Sequence, residues 1–333
     1  MSLHETQSVR WGILGTGGIA RAFATALMET PGAVLAAVGS RSMASARDFG
    51  RDFGSPACYG SYEALATAPD VDIIYIGTPH PMHAENAMLA LNGGKAVLCE
   101  KPFTMNLREA ERVVELARAK KLFLMEAMWT RFMPALAEVR RIVASGEIGT
   151  VHQVHADFGF SATRDPEHRV NKRELGGGAL LDLGIYPLSI SCALLGPVST
   201  VQAQAVLSDG GIDLTTGFSM KHESGALSIC SCSLRARTPC ELTVSGSLGN
   251  IRMDAMFHLA KSVTVKLTDG STRTVATPFL GNGYVHEAIE AGRCLRAGLL
   301  ESPQMLHADT LALMQLLDNI RQQIGVTYPA DAQ

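Results

Sequence analysis

Through the first 126 residues, short runs of consecutive apolar side chains alternate with stretches in which apolar residues recur every three or four positions. The runs at 9–14, 33–39, 57–59, 72–77, 96–99 and 122–125 read as buried strands. The stretches at 21–27, 42–53, 61–67, 83–92 and 107–120 have helical character. Strands alternating with helices of about ten residues predict a parallel, doubly wound sheet of the Rossmann type.

From Val151 the period drops to two, as in Val154-His155-Ala156-Asp157-Phe158-Gly159-Phe160. That alternation predicts strands with one buried face. Further strands are expected at 201–207, 214–221, 226–234, 240–245, 250–255 and 263–267. Turn residues separate them at Glu223-Ser224-Gly225, Ser247-Leu248-Gly249 and Asp269-Gly270. The expected fold class is α/β. A dinucleotide-binding Rossmann domain over 1–126 precedes an α+β domain over 127–333, built on a large, mostly antiparallel open sheet and closed by helices at 284–297 and 308–324. One face of such a sheet needs cover; the other is a natural surface for a homodimer or higher homo-oligomer.

Composition narrows the picture. A chain of 333 residues, 47% hydrophobic and 18% charged, with a net charge of −3, is an ordinary globular protein with room for about two domains. No basic excess points to nucleic acid. No apolar stretch reaches the ~18 residues that a membrane span takes. The first eight residues lack a basic start and an apolar core, so they read as a short disordered lead rather than a secretory signal. Seven scattered cysteines, an odd number, predict reduced thiols in the cytoplasm. Cys230 and Cys232 read as a core-facing pair on a strand. His152 and His155 fall on opposite strand faces, so no metal site is expected.

The first apolar run ends in Gly15-Thr16-Gly17-Gly18-Ile19-Ala20, a Gly-x-Gly-x-x-Ala pattern that opens a helix. Gly15 permits the tight turn, Gly17 lets a pyrophosphate approach the backbone, and Ala20 lets the helix pack on the strand. The helix N-terminus then faces the phosphates; the alternative is a strand–turn–helix without ligand. The second run ends in Ser40-Arg41-Ser42, and no carboxylate occurs from Ala33 to Arg47. An NAD enzyme usually places an acid there for the ribose 2′-hydroxyl, whereas a cation flanked by hydroxyls suits a 2′-phosphate. NADP is therefore favoured, with NAD as the alternative, unless Arg41 is merely solvated. Two further strand ends carry Thr78-Pro79-His80-Pro81-Met82-His83 and Glu100-Lys101-Pro102. Ligands of such sheets bind at the carboxyl edge, so these segments should converge on one crevice, which raises Lys101 above an ordinary surface lysine.

In the second domain, Gly176-Gly177-Gly178-Ala179-Leu180-Leu181-Asp182-Leu183-Gly184-Ile185-Tyr186-Pro187 reads as a helix after three glycines, kinked at Pro187. Asp182 and Tyr186, four apart, share one face. A capping acid beside a half-buried tyrosine is the structural alternative.

Together these motifs resemble the Gfo/Idh/MocA oxidoreductases along essentially the whole chain. Met125-Glu126-Ala127-Met128-Trp129-Thr130-Arg131-Phe132 and Gly283-Tyr284-Val285-His286-Glu287 are similar to the branch that holds dihydrodiol dehydrogenases and NADP-dependent D-xylose dehydrogenases. The resemblance implies that Lys101, Asp182 and Tyr186 are the catalytic and substrate-binding set, and that the Lys101–Pro102 bond is often cis. It implies that Thr78, Pro79 and His83 line the nicotinamide ribose, that Glu100 and Lys101 belong to the cofactor motif, and that Arg41 meets the 2′-phosphate. Most of the wider family has His where this chain has Tyr186. Tyrosine there matches the dihydrodiol and glucose–fructose branches and speaks against inositol-type substrates.

The chemistry follows. A phenol titrates near ~10, too high for a base at neutral pH, and a neighbouring ammonium lowers it. Tyr186 is then the candidate acid/base, with Lys101 tuning it and polarising the substrate oxygen; Lys101 as proton carrier is the opposite assignment. Asp182 orients substrate hydroxyls, and Trp129 and Phe158 are either apolar pocket walls or ordinary core. The expected partners are a small sugar or cyclic diol. Alternatives are a reductase of another carbonyl or imine, a sugar oxidoreductase that retains its cofactor, or an NADP(H) sensor without turnover.

Overall fold

The computed structural model describes residues 8–54, 56–163 and 165–332, so the lead expected at the N-terminus lies almost wholly outside the described residues. The chain divides into two compact units. The first runs to Trp129 and takes in Leu280–Met314; the second comprises Thr130–Phe279 and continues from Gln315.

The first unit is a parallel six-stranded sheet: β1 (Val9–Leu14), β2 (Ala33–Gly39), β3 (Ala57–Tyr59), β4 (Ile73–Ile76), β5 (Ala96–Glu100) and β6 (Leu124–Ala127), in the order β3-β2-β1-β4-β5-β6. Helices α1 (Gly18–Met28), α2 (Met43–Asp52), α3 (Tyr62–Ala66), α4 (His83–Asn92) and α5 (Leu107–Lys120) connect the strands. The order reverses between β1 and β4, which puts the ligand crevice of a doubly wound sheet at the carboxyl ends of those strands. All four residues of β4 are fully buried. Phe23 of α1 stacks on Tyr75 at 3.7 Å and meets Trp11 of β1 at 5.3 Å, tying the first helix to the sheet centre.

The second unit holds α6 (Pro134–Ala144), α7 (Ile185–Leu195) and eight strands: β7 (Val151–Gly159), β8 (Val198–Leu207), β9 (Asp213–His222), β10 (Leu227–Ser233), β11 (Leu242–Gly246), β12 (Gly249–Met253), β13 (Ser262–Leu267) and β14 (Thr272–Ala276). The order is β14-β13-β12-β11-β7-β10-β9-β8, antiparallel except for the β7/β10 pair. Alternation decides the faces. On β9, Thr216, Phe218, Met220 and His222 point inward, while Gly217, Ser219 and Lys221 point out. Cys230 and Cys232 are both buried, as expected of a core-facing pair, and burial pushes the Cys230 thiol up to about 12.

Two expectations are corrected. The domain boundary at 126/127 gives way to a discontinuous first unit. Its added part contains α8 (Val285–Arg296) and the start of α9 (His307–Ile324). Val285, Ala288, Ala291 and Cys294 form a buried face on α8, which packs on α1; His307 bonds the Leu124 carbonyl at 3.0 Å. Second, Arg173–Leu195 does have the length and hydropathy of a membrane span, but 83% of its most apolar window is buried inside the protein, which makes it core.

Candidate functional site

At the end of β1, Gly15 has φ +106, and a Cβ there would lie 3.0 Å from the Gly77 carbonyl oxygen at the end of β4. A side chain is therefore excluded on both conformational and steric grounds. Gly17 and Gly18 are different: a Cβ at either would meet nothing within 4 Å, so the turn opens to a ligand. Helix α1 starts with no side-chain cap and no acid in its first turn. Its first amides are left for an anion, and the positive end of its dipole faces the same way. Ala20 is fully buried, and a Cβ added at Gly77 would touch it at 3.5 Å. These residues fit a dinucleotide pyrophosphate.

The end of β2 supplies Ser40, whose hydroxyl lies 3.3 Å from that of Thr16. Arg41 is exposed and faces Tyr62 electrostatically. The Ser42 oxygen accepts the Ser45 N–H at 3.2 Å as the cap of α2, so its hydroxyl already has a structural use.

Beyond β4, Thr78 is buried, accepting from Asn86 Nδ2 at 3.1 Å, and Pro79 is exposed. His83 is fully buried, with its ring nitrogens 2.8 Å from the Thr78 and Pro102 carbonyl oxygens. Burial lowers its pKa, against the pull of those carbonyls. His83 therefore clamps the two loops together from behind. The Lys101–Pro102 bond is cis. Glu100 also works from beneath: one carboxylate oxygen accepts the Tyr75 hydroxyl at 2.5 Å, the other the Lys101 N–H at 3.1 Å. Glu126 of β6 accepts the Phe103 N–H at 3.2 Å. Two buried glutamates thus fix the corner that carries Lys101.

In the second unit the segment after the three glycines winds as a π-turn over Leu180–Gly184 and continues as α7. Pro187 cannot donate to a carbonyl of the preceding turn, and the widened turn takes up the mismatch where a kink was expected. A Cβ at Gly184 would lie 2.9 Å from the Cys232 sulfur, so this glycine lets the turn rest on β10. Asp182 and Tyr186 are both buried on this stretch. The Tyr186 ring lies 5.1 Å from Phe158 and 6.1 Å from His258, and His258 stacks on Phe158 at 4.5 Å. Phe158 is thus part of an aromatic cluster on the tyrosine. Trp129 belongs to the first unit, where its ring meets Tyr284 at 4.8 Å.

Sequence reasoning missed three residues here. Arg169 donates from Nη2 to both Asp182 oxygens, at 3.1 and 3.2 Å. Asp213 accepts the Leu180 N–H at 2.7 Å and the Thr216 hydroxyl at 2.6 Å, holding the first amide of the π-turn from β9. Burial raises its pKa, and those hydrogen bonds oppose the rise. His258 completes the aromatic cluster. None has a local signal; the glycine triplet was the one hint that something packs against this turn.

Residues 9–128 match the oxidoreductase family with an NAD-binding Rossmann fold, and residues 136–252 match the GFO/IDH/MocA C-terminal domain. A trans-1,2-dihydrobenzene-1,2-diol dehydrogenase of Danio rerio is 38% identical, across 98% of this chain and 100% of that one. A D-xylose 1-dehydrogenase (NADP(+)) of Hypocrea jecorina is 36% identical, across 99% and 95%. The crystal structure of an aldose-aldose oxidoreductase from Caulobacter crescentus superposes with a TM-score of 0.87 at 27% identity, covering 95% of this chain and 97% of that one.

Proposed function

Because the chain belongs to the GFO/IDH/MocA oxidoreductase family, we propose that it is an NADP-dependent dehydrogenase, moving hydride between nicotinamide and the carbinol or carbonyl carbon of a D-xylose-like aldose or a trans-dihydrodiol. The observation that carries this reading is the joint placement of Asp182 and Tyr186 on one buried turn, in a chain matched end to end by relatives named for those substrates. NADP is favoured by Ser40 and Arg41 at the end of β2, by the lack of any carboxylate through Arg47, and by the fungal relative's stated cofactor.

Gly15 through Ala20 would hold the pyrophosphate, and Thr78 and Pro79 would line the nicotinamide ribose. When bound, the nicotinamide supplies the hydride acceptor for oxidation and the donor for reduction. Tyr186 takes the proton from the substrate hydroxyl; Lys101 stabilises the phenolate and polarises the substrate oxygen. Asp182 orients the remaining hydroxyls, and Trp129 and Phe158 supply apolar wall. The test is nicotinamide absorbance during incubation with D-xylose and a trans-dihydrodiol, with NADP and NAD compared. Tyr186→Phe should lower kcat by about 10²–10⁴-fold; near-normal turnover would remove Tyr186 from the role.

The same reading takes the protein as a cytoplasmic homodimer joined through the outer face of the eight-stranded sheet. Leu227 and Ile229 are exposed on that face of β10, and all seven cysteines are thiols. Sedimentation should give twice the chain mass, reduced to one chain in Ile229→Lys; a monomeric wild type would refute it.

A further inference from the structure

Asp182 does not stand alone on its turn. Its side chain is 8% exposed, while that of Arg169, its partner, is 44% exposed. The contact is made by one nitrogen, Nη2, to both carboxylate oxygens. The two-nitrogen fork that usually joins arginine to a carboxylate is not used here. Arg169 Nε and Nη1 make no hydrogen bond to any described residue, so donors stand beside an acceptor-only carboxylate at the edge of the buried turn.

We infer that Arg169 and Asp182 form one donor–acceptor couple that reads the hydroxyl next to the reacting carbinol, which makes Arg169 a specificity-determining residue. This rests on the reading of Asp182 as the substrate-facing acid. A hydroxyl is donor and acceptor at once, whereas the carboxylate only accepts and the guanidinium only donates. A hydroxyl at the couple donates to Asp182 and accepts from Arg169, satisfying both. A hydrogen or an ether oxygen at the same place satisfies neither or one. Tyr186, four residues on, is taken by the reacting oxygen, which leaves the couple for its neighbour. Ring-form aldoses and trans-dihydrodiols differ in nearly everything except this adjacent pair of hydroxyls.

The cost of a missing hydroxyl has a bound. A site whose polar groups would be stranded rejects the deoxy analogue by about 10⁴-fold or more. Here Arg169 and Asp182 still hold each other when the hydroxyl is absent, so the discrimination should be about 10- to 100-fold.

The experiment compares kcat/KM for trans-cyclohexane-1,2-diol against cyclohexanol, and for D-xylose against 2-deoxy-D-xylose, in wild type, Arg169→Met and Arg169→Lys. Wild type should prefer the hydroxylated member by about 10- to 100-fold. Arg169→Met should cut that preference to within about threefold, by raising KM for the hydroxylated member more than for the deoxy one. Arg169→Lys, which keeps a donor, should recover part of it. Equal losses on both members would mean that Arg169 only holds Asp182 in place, and would overturn the inference; so would a wild type blind to the second hydroxyl. Calorimetric binding of the same pairs to Tyr186→Phe and to Tyr186→Phe/Arg169→Met decides the point without turnover. A failure of the redox reading is thereby kept separate from a failure of this one.

Discussion

Gly178→Ala is the substitution with the most to reveal about how the π-turn at Leu180–Gly184 is held. Gly178 has φ +125, and a Cβ there would lie 2.3 Å from Asp213 Oδ1 and 3.2 Å from the Tyr328 hydroxyl, which itself donates to the Gly177 carbonyl at 2.7 Å. Backbone strain alone costs about 1–3 kcal/mol. Expelling the Asp213 carboxylate forfeits its bonds to Leu180 N–H and the Thr216 hydroxyl, each about 1.5–3 kcal/mol for a charged acceptor. The sum is several kcal/mol, a large share of the roughly 5–15 kcal/mol that stabilises a whole domain. Gly225→Ala is the control: it too has positive φ, +86, but its Cβ would meet nothing within 4 Å, so it should cost only about 1–2 kcal/mol. Urea midpoints measure both. In Gly178→Ala/Asp213→Ala the clash is gone, and the double variant should be more stable than the sum of the singles requires, by about 3 kcal/mol. Should Gly178→Ala fail to fold, the double variant should recover folding. A Gly178→Ala cost equal to that of Gly225→Ala, or strict additivity in the cycle, would refute the idea that this carboxylate is wedged against the glycine.

Other substitutions test other parts. Arg41→Ala should raise KM for NADP by about tenfold, equivalent to about 1.4 kcal/mol, and leave that for NAD nearly unchanged; equal changes would deny Arg41 the 2′-phosphate. Burial would raise the Glu290 carboxyl, but hydrogen bonds from Arg293, Ser302 and Cys294 outweigh it and hold the group at about 2. The depressed value means its stabilisation is present above the ordinary carboxyl range and lost as pH falls toward about 2. Glu290→Gln should therefore cost about 1–2 kcal/mol at neutral pH, less than the full linkage because Arg293 is half exposed, and nothing at the acid limit. Glu287 has the opposite sign. It is fully buried, and neither oxygen has a hydrogen bond among the described residues; burial and the nearby Glu100 push its carboxyl well up. Its neutral form is favoured in the folded protein, so stability falls as pH rises above the ordinary carboxyl range. Thermal melts from about pH 5 to about pH 9 should show a steeper alkaline fall in wild type than in Glu287→Gln, and parallel curves would refute the assignment.

Burial decided which elements were legible. β4, Ile73-Ile74-Tyr75-Ile76, is buried at every position, so it is written as an unbroken apolar run. β14, Thr-Arg-Thr-Val-Ala, escaped notice because it is an edge strand with four of five residues exposed; it has no buried face to leave a pattern. α6 was legible and missed: Ala135, Leu136, Val139 and Ile142 have helical spacing behind Pro134 at the first position. The π-turn was not legible, since Leu180, Leu181, Asp182, Leu183 and Gly184 are all buried and no periodicity survives uniform burial.

The same distinction separates the parts of the site. Asp182 and Tyr186 were found because four-residue spacing on a helix is a local rule. Arg169 reaches Asp182 from thirteen residues back, out of a single 3₁₀ turn, and Asp213 reaches Leu180 from thirty-three residues ahead, off a strand. Neither approach follows from any period. The glycine triplet did encode them, though obliquely. It suggests close approach by something, and in the first domain similar glycines leave room for a ligand. Here the approaching atoms are the protein's own. A Cβ at Gly177 would strike the Val170 carbonyl oxygen at 2.6 Å, and one at Gly178 the Asp213 carboxylate. Gly17 and Gly18 look alike in sequence but face empty space. What a glycine makes room for is therefore a tertiary fact, and only the fold distinguishes a cradle for phosphate from a slot for the chain itself.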